Sequence, residues 1–283
     1  MADARDKWNL GRLAMGLLAV TVFTGIALIP FYHPDRALDS LEAMAGGIPW
    51  LWWLRGIHGY AAHALVIVSI LHVVEVLRRR AEGRIGPGAW WRSVFVVPVL
   101  MGAMLGGFVL RGDVEASEAL SVWQGMLNSL GGAGRLMSDF LLGASGSPDL
   151  SIVAAHHAST FTLLLWALCA DHGGIPWPDV RSMVLGAFIG MVPAALIPLP
   201  LGPAIATPGE LALAPWYLLG VQGALLDIPV ASVWIGAAVV MLSMGLIRHA
   251  RGAGRGVLIA VLGASVAAWV AWSVRILLVA RPF

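Results

Sequence analysis

The chain has 283 residues, of which 59% are hydrophobic and 12% charged, with a mean hydropathy of +0.82; this is the composition of an integral membrane protein. Its single cysteine, Cys169, excludes an intramolecular disulfide, a Cys-Cys metal cluster and a C-x-x-C-H attachment motif. A formal charge of +2 is uninformative as a total and gives no reason to expect a nucleic-acid partner, although its distribution is informative.

Residues 1–12 are short and basic (Arg5, Lys7, Arg12), and the first apolar run covers about 10–32. That run is too long for a signal peptide and lacks a small-residue cleavage site, so a retained spanning helix is expected. Further spans are predicted at 50–77, 93–110 (with Pro98 a kink), 152–172, 182–201, 229–247 and 256–280. Residues 111–151 are too polar to span and predict surface helices. Residues 200–227 are apolar but broken by Pro and Gly, and predict an interfacial or re-entrant segment. The expected architecture is all-α, with seven transmembrane helices.

Seven spans assign the loops alternately to two sides. Of the 18 Lys and Arg, twelve fall on the side of the N-terminus and six on the other. The positive-inside rule then puts the N-terminus in the cytoplasm and the C-terminus outside. The second and fourth spans therefore run parallel.

These two spans carry histidines. His58 and His72 are 14 apart, and His157 and His172 are 15 apart. At about 100° and 1.5 Å per residue, each pair returns to within about 40–60° of one helix face, roughly 21–22 Å along the axis. A lone membrane histidine is ordinarily a hydrogen-bonded core residue. Four at matched spacing on parallel helices predict two stacked bis-imidazole sites, His58 with His157 on the outer side and His72 with His172 on the inner. Axial histidine pairs suit haem iron. Gly11 and Gly25 in the first span, and Ser93 and Gly107 in the third, are also 14 apart, so small residues recur at the two expected haem depths.

Several stretches carry a family resemblance: WNLGRLAMGLLAVTVFTGIALIPFYHPD, LRGIH with His72 following, GGFVLRGD, the His157/His172 span and ATPGELALAPWY. Together they resemble cytochrome b of the quinol-oxidising cytochrome bc complexes. The spacing of 15 and the seven spans resemble the plastid-type branch, where a four-span cytochrome and a three-span subunit are separate chains; this chain resembles the two joined near 173–180. The resemblance implies a four-helix haem-binding bundle over 1–175 and a three-span quinone-site domain over 176–283. It implies two haem b as cofactors, quinone or quinol as substrate, and Arg55 against a haem propionate. It further implies an outer quinone pocket containing Trp216 and Tyr217, partner iron–sulfur or c-type cytochrome subunits, and a dimer within a larger complex. The setting it implies is a bacterial inner membrane, with lipid around the spans.

The departures bear on mechanism. The family's Pro-Glu-Trp-Tyr reads Ala214, Pro215, Trp216, Tyr217, so the carboxylate is gone and proline cannot accept a proton. The family's Pro-Trp-Asp-Gln reads Arg111, Gly112, Asp113, Val114. Asp113 and Tyr217 are the remaining catalytic candidates, and Glu115, Glu118 and Glu210 are nearby carboxylates. The plastid branch's extra-haem cysteine is replaced by Asn9, so no such haem is expected. Glu75 stands where a basic residue is usual, with Arg78 able to cover for it. His63 and His156 lie off the matched spacing, and His33 and His249 sit at span ends. Arg275 either snorkels outward or lines a polar pocket. Three functions are open: a quinol-oxidising subunit with an atypical outer site, a haem wire from a periplasmic cytochrome to an inner quinone site, and a non-catalytic assembly scaffold. A transporter finds little support beyond Arg275 and the prolines.

Overall fold

The computed structural model describes residues 10–143, 147–174, 177–205 and 211–280, without the side chains of Pro49, His172 and Gly173. Asn9, Glu210 and the side chain of His172 thus lie outside the described residues. All regular structure among the described residues is helical. The chain forms two compact units, residues 1–107 with 154–201, and 108–153 with 202–283.

The first unit is built on α1 (Leu10–Leu28), α3 (Pro49–Arg78) and α9 (Val180–Leu196), which pack against one another. Small residues allow the approach, as is usual where helices meet in lipid. A Cβ on Gly16 would strike the Ser182 carbonyl, one on Gly186 would lie 3.1 Å from the Gly16 backbone, and one on Gly190 3.0 Å from the Ile57 carbonyl. A short helix, α2 (Ala37–Gly46), lies between α1 and α3. Its Leu41 and Met44 join Leu51, Leu28, Phe31 and Tyr32 in an apolar cluster.

Helix α4 (Pro87–Val109) contains Pro98 and supplies its first part to this unit. The fourth predicted span is a composite. α7 (Leu150–Ala155) leads into a π-helical turn at His156–Phe161 and then α8 (Thr162–Gly173).

The second unit contains α5 (Val114–Asn128), α6 (Gly131–Leu142), α10 (Leu219–Asp227), α11 (Val230–Leu246) and α12 (Gly252–Val279). α10 and α11 pack on α12, and α5 packs on α6. The Trp234 indole of α11 donates to the Met126 carbonyl at 3.1 Å, tying α11 to the end of α5.

Among the described residues, five helices are long and apolar enough to cross a membrane: Leu10–Phe31, Trp50–Arg78, Pro87–Val109, Leu150–Asp171 and Gly252–Val279. Val180–Leu196 and Val230–Leu246 are shorter apolar helices. The fifth expected span, 182–201, stops at Leu196 because Pro198 and Pro200 cannot extend a helix. Within the first unit α9 packs with both α1 and α3.

Candidate haem-binding site

His58 lies on α3 and His157 in the π-helical turn, and their ring centroids are 6.2 Å apart with planes at 75°. Each ring is oriented by a backbone carbonyl. His58 Nδ1 donates to the Thr21 carbonyl at 2.9 Å, with the Thr24 hydroxyl at 3.3 Å. His157 Nδ1 donates to the Ala103 carbonyl at 2.9 Å. With Nδ1 carrying the proton, the lone pair of each neutral imidazole is on Nε2. This is the tautomer in which a ligating histidine is held by an outer partner. Two imidazole–metal bonds of about 2 Å, plus the half-width of each ring, span about 6 Å. The observed separation therefore suits one metal shared by two rings, and the donor pair fits haem iron.

Both anchoring carbonyls come from neighbouring helices, Thr21 on α1 and Ala103 on α4. Sequence reading passed over Thr21, Thr24 and Ala103. A carbonyl has no residue signature, but Thr21 and Thr24 were polar residues inside an apolar span and gave a usable signal.

The glycines take a role more specific than the one expected of them. A Cβ on Gly25 would come within 3.0 Å of His58 Cε1, and one on Gly107 within 3.0 Å of His157 Cε1. Gly106 adds a contact at 3.4 Å to His157 Nδ1. In this structure these glycines make room for the imidazoles themselves. Of their partners 14 residues earlier, Gly11 is a half-buried residue of α1, and Ser93 turns its hydroxyl back to the Trp90 carbonyl at 2.7 Å.

His72 is half-buried on α3, and position 172 lies on α8. Near that end, Arg92 of α4 forms a two-pronged ion pair with Asp171 of α8, at 2.7 and 3.3 Å. Arg55 is buried, and its guanidinium donates to the Leu199 and Pro200 carbonyls at 2.8 and 3.2 Å. His156 is paired with the Thr160 hydroxyl at 2.9 Å. His63 is half-buried on α3, and the backbone amide of His33 donates to Ser40 Oγ at 3.4 Å.

The second unit holds the remaining candidates. Asp113 is 1% exposed. It caps α5 by accepting from the Ala116 amide at 2.9 Å, and it also accepts from the Gly202 amide at 2.8 Å and from Arg111 Nε at 2.6 Å. Arg111 reaches Glu115 at 2.9 Å and stacks 4.7 Å over the Phe108 ring. Gly202 is required here, because a Cβ would lie 2.6 Å from Arg111 Nη2 and 2.9 Å from the Asp113 carboxyl carbon. Glu118 is exposed.

Tyr217 is buried and packs edge-on to Trp216, centroids 5.6 Å apart. Burial raises its phenol above the ordinary tyrosine range, and the Arg111 charge only partly offsets this. It stays a neutral hydrogen-bonding group. The segment before it is held by Gln222, which accepts from the Ala214 amide at 2.8 Å and donates to the Ala212 carbonyl at 2.7 Å. Arg275 pairs with Asp227, at the end of α10.

A family model described as cytochrome b/b6/petB matches residues 3–169, more than half of the chain. The cytochrome b6 of a Desmonostoc species is 25% identical over 156 residues, covering 54% of this chain and 73% of that protein. The cytochrome b of Sulfolobus acidocaldarius is also 25% identical, over 158 residues, covering 55% of this chain but 28% of that one. Among solved structures, a chain of a "hyperthermophilic respiratory Complex III" superposes with a TM-score of 0.69 at 20% identity, covering 93% of this chain and 83% of that chain. The protein belongs to the cytochrome b/b6 family.

Proposed function

We propose that this chain is a di-haem cytochrome b that carries electrons between quinone or quinol and partner redox proteins within a cytochrome bc-type complex. The observation that carries the reading is the His58–His157 pair. Its rings are 6.2 Å apart, and each Nδ1 is committed to a carbonyl of a neighbouring helix. Bound haem b supplies one-electron redox chemistry. The chain's own task is to hold four imidazoles as neutral ligands and exclude water around them.

In this reading His58 and His157 hold an outer haem, His72 and His172 an inner one, and Arg55 meets a propionate of the outer haem. α9 and α11 complete seven spans, with the N-terminus cytoplasmic and the C-terminus periplasmic in a bacterial inner membrane. The division into 1–175 and 176–283 is one of labour, haem binding against quinone chemistry, rather than of packing. Iron–sulfur and c-type cytochrome subunits are the partners such a complex uses, in a dimeric assembly. Pyridine haemochrome analysis of the purified protein tests the core of this. Two haem b per chain are expected, and one or none overturns it.

One observation favours a haem wire over bifurcating quinol oxidation. The motif glutamate is replaced by Pro215, and Asp113 is already engaged by Arg111, the Gly202 amide and the Ala116 amide. A carboxylate with its lone pairs so occupied is a poor proton acceptor. Haem reduction by added quinol separates the two readings. Reduction blocked by an outer-pocket inhibitor supports bifurcation, and reduction insensitive to it supports the wire.

A further inference from the structure

The two histidine helices differ in spacing, 14 residues in α3 against 15 across the π-turn and α8. In uninterrupted α-helices this matters. Fourteen steps of about 100° end roughly 40° short of whole turns, whereas fifteen end roughly 60° beyond them. The lower ligands would then differ by one full residue step, about 100°, in their rotation relative to the upper ones. Helix α3 is continuous from Pro49 to Arg78 and has no slack. The other segment contains six residues of π-helix, His156–Phe161, starting beside the ligand His157. There the Thr162 hydroxyl donates to the His157 carbonyl, five residues back, at 2.8 Å. A single π-turn accommodates one extra residue in an otherwise α-helical rod.

We propose that the wide turn at 156–161 is a register device: it absorbs the fifteenth residue, so that positions 157 and 172 repeat the rotation of positions 58 and 72. The inference rests on the haem-pair reading and deepens it. Such turns are rare, and this one is seated by its surroundings. Phe161 lies where a Cβ on Gly102 of α4 would come within 2.6 Å of its ring, and His156 is tied to Thr160. The device has a consequence that spacing alone does not predict. A residue can be removed from the wide turn by relaxing it to α-helix, whereas the same removal from α3 cannot be absorbed.

The experiment compares three chains by haem content and by the low-spin bis-imidazole spectrum of each. Deleting Ser159, or separately Ala158, both exposed in the wide turn, is expected to keep two haem b per chain. Deleting Ile67, an exposed residue of α3 between its ligands, is expected to reduce the count to about one. Loss of a haem in both wide-turn deletions overturns the proposal. So does retention of two in all three chains, or failure of both wide-turn deletions to accumulate where the Ile67 deletion does. Fewer than two haems in the parent chain is the separate failure, of the haem-pair reading itself, and takes the register device with it.

Discussion

The histidine pair and the Arg111 cluster use polar side chains in opposite ways. His58 and His157 each spend one nitrogen on a backbone carbonyl and keep one lone pair in reserve. Around Arg111 the charged groups satisfy each other. Asp113 takes the guanidinium and two amides, and Glu115 takes the other arm. A group with a lone pair left over can bind a ligand, whereas a closed network holds a turn in place. The first region thus keeps donor atoms available for a ligand, and the second, as it stands, holds a turn in place.

The sharpest way to break this contrast is to remove a ligand. His58→Ala or His157→Ala should lower the haem content from two to one per chain and leave the protein folded in the membrane. His72→Ala should remove the other haem and spare this one, as resolved by redox titration of the alpha band. Loss of neither haem would refute the pairing. A smaller effect is expected from Gly107→Val, whose side chain must displace the His157 ring, because its first carbon already falls 3.0 Å from Cε1. Disturbing the support of a metal-ligating histidine typically costs about 10–100-fold in affinity. The outer haem should therefore be partly lost on washing, with its potential shifted. Gly25→Ala should do the same more mildly at His58.

The nearness of His58 to His157 was legible because helical periodicity is a property of sequence. His58 and His72 share a face by number alone, and Gly25 and Gly107 stand out as small residues at one depth. Other features were not. Ala103 contributes only a carbonyl, which every residue has. The π-turn has no signature in HHASTF; its trace was the mismatch between 14 and 15. The short helix α2 was passed over although Ala37, Leu41 and Met44 stand at i, i+4 and i+7 and are buried; ten residues are too few to count as a span, and spans were what was sought. The early stop of α9 was written in Pro198 and Pro200, and was missed because apolar content alone was used to place its end. Around Asp113 the sequence named the residue but not its state, since the Gly202 amide meets it only through the fold, while Arg111 stood two residues away and could have been read as its partner.

That state predicts a mainly structural phenotype. Asp113→Ala leaves Arg111 half-buried without its closest partner and removes the cap of α5. Breaking a buried pair by deleting one partner costs about 3–5 kcal/mol. The expected result is a clear drop in the thermal midpoint in detergent, with the haem spectrum of the folded fraction unchanged. A variant with unaltered stability and abolished quinol oxidation would instead make Asp113 the catalytic carboxylate and erase the contrast between the two regions.

The smallest effect comes from a second aspartate that makes the same bond in a different setting. Asp179 caps α9 through the Ser182 amide at 2.9 Å and the Ser182 hydroxyl at 2.8 Å, with Arg12 at 3.7 Å. These contacts match Asp113 in kind, but the Asp179 side chain is 39% exposed. Its carboxyl is held below the usual range by the Ser182 amide first and the Ser182 hydroxyl second. A carboxyl whose folded value is depressed contributes stability above its unfolded value, about 3.9, and loses that contribution as pH falls through the folded value. Asp179→Ala should therefore cost about 1 kcal/mol at neutral pH, several-fold less than Asp113→Ala. The gap between Asp179→Ala and the parent should close on acidification below about pH 4. Equal costs for the two aspartates, measured as melting shifts at neutral pH, would show that burial of the Arg111 cluster adds nothing to the shared capping bond.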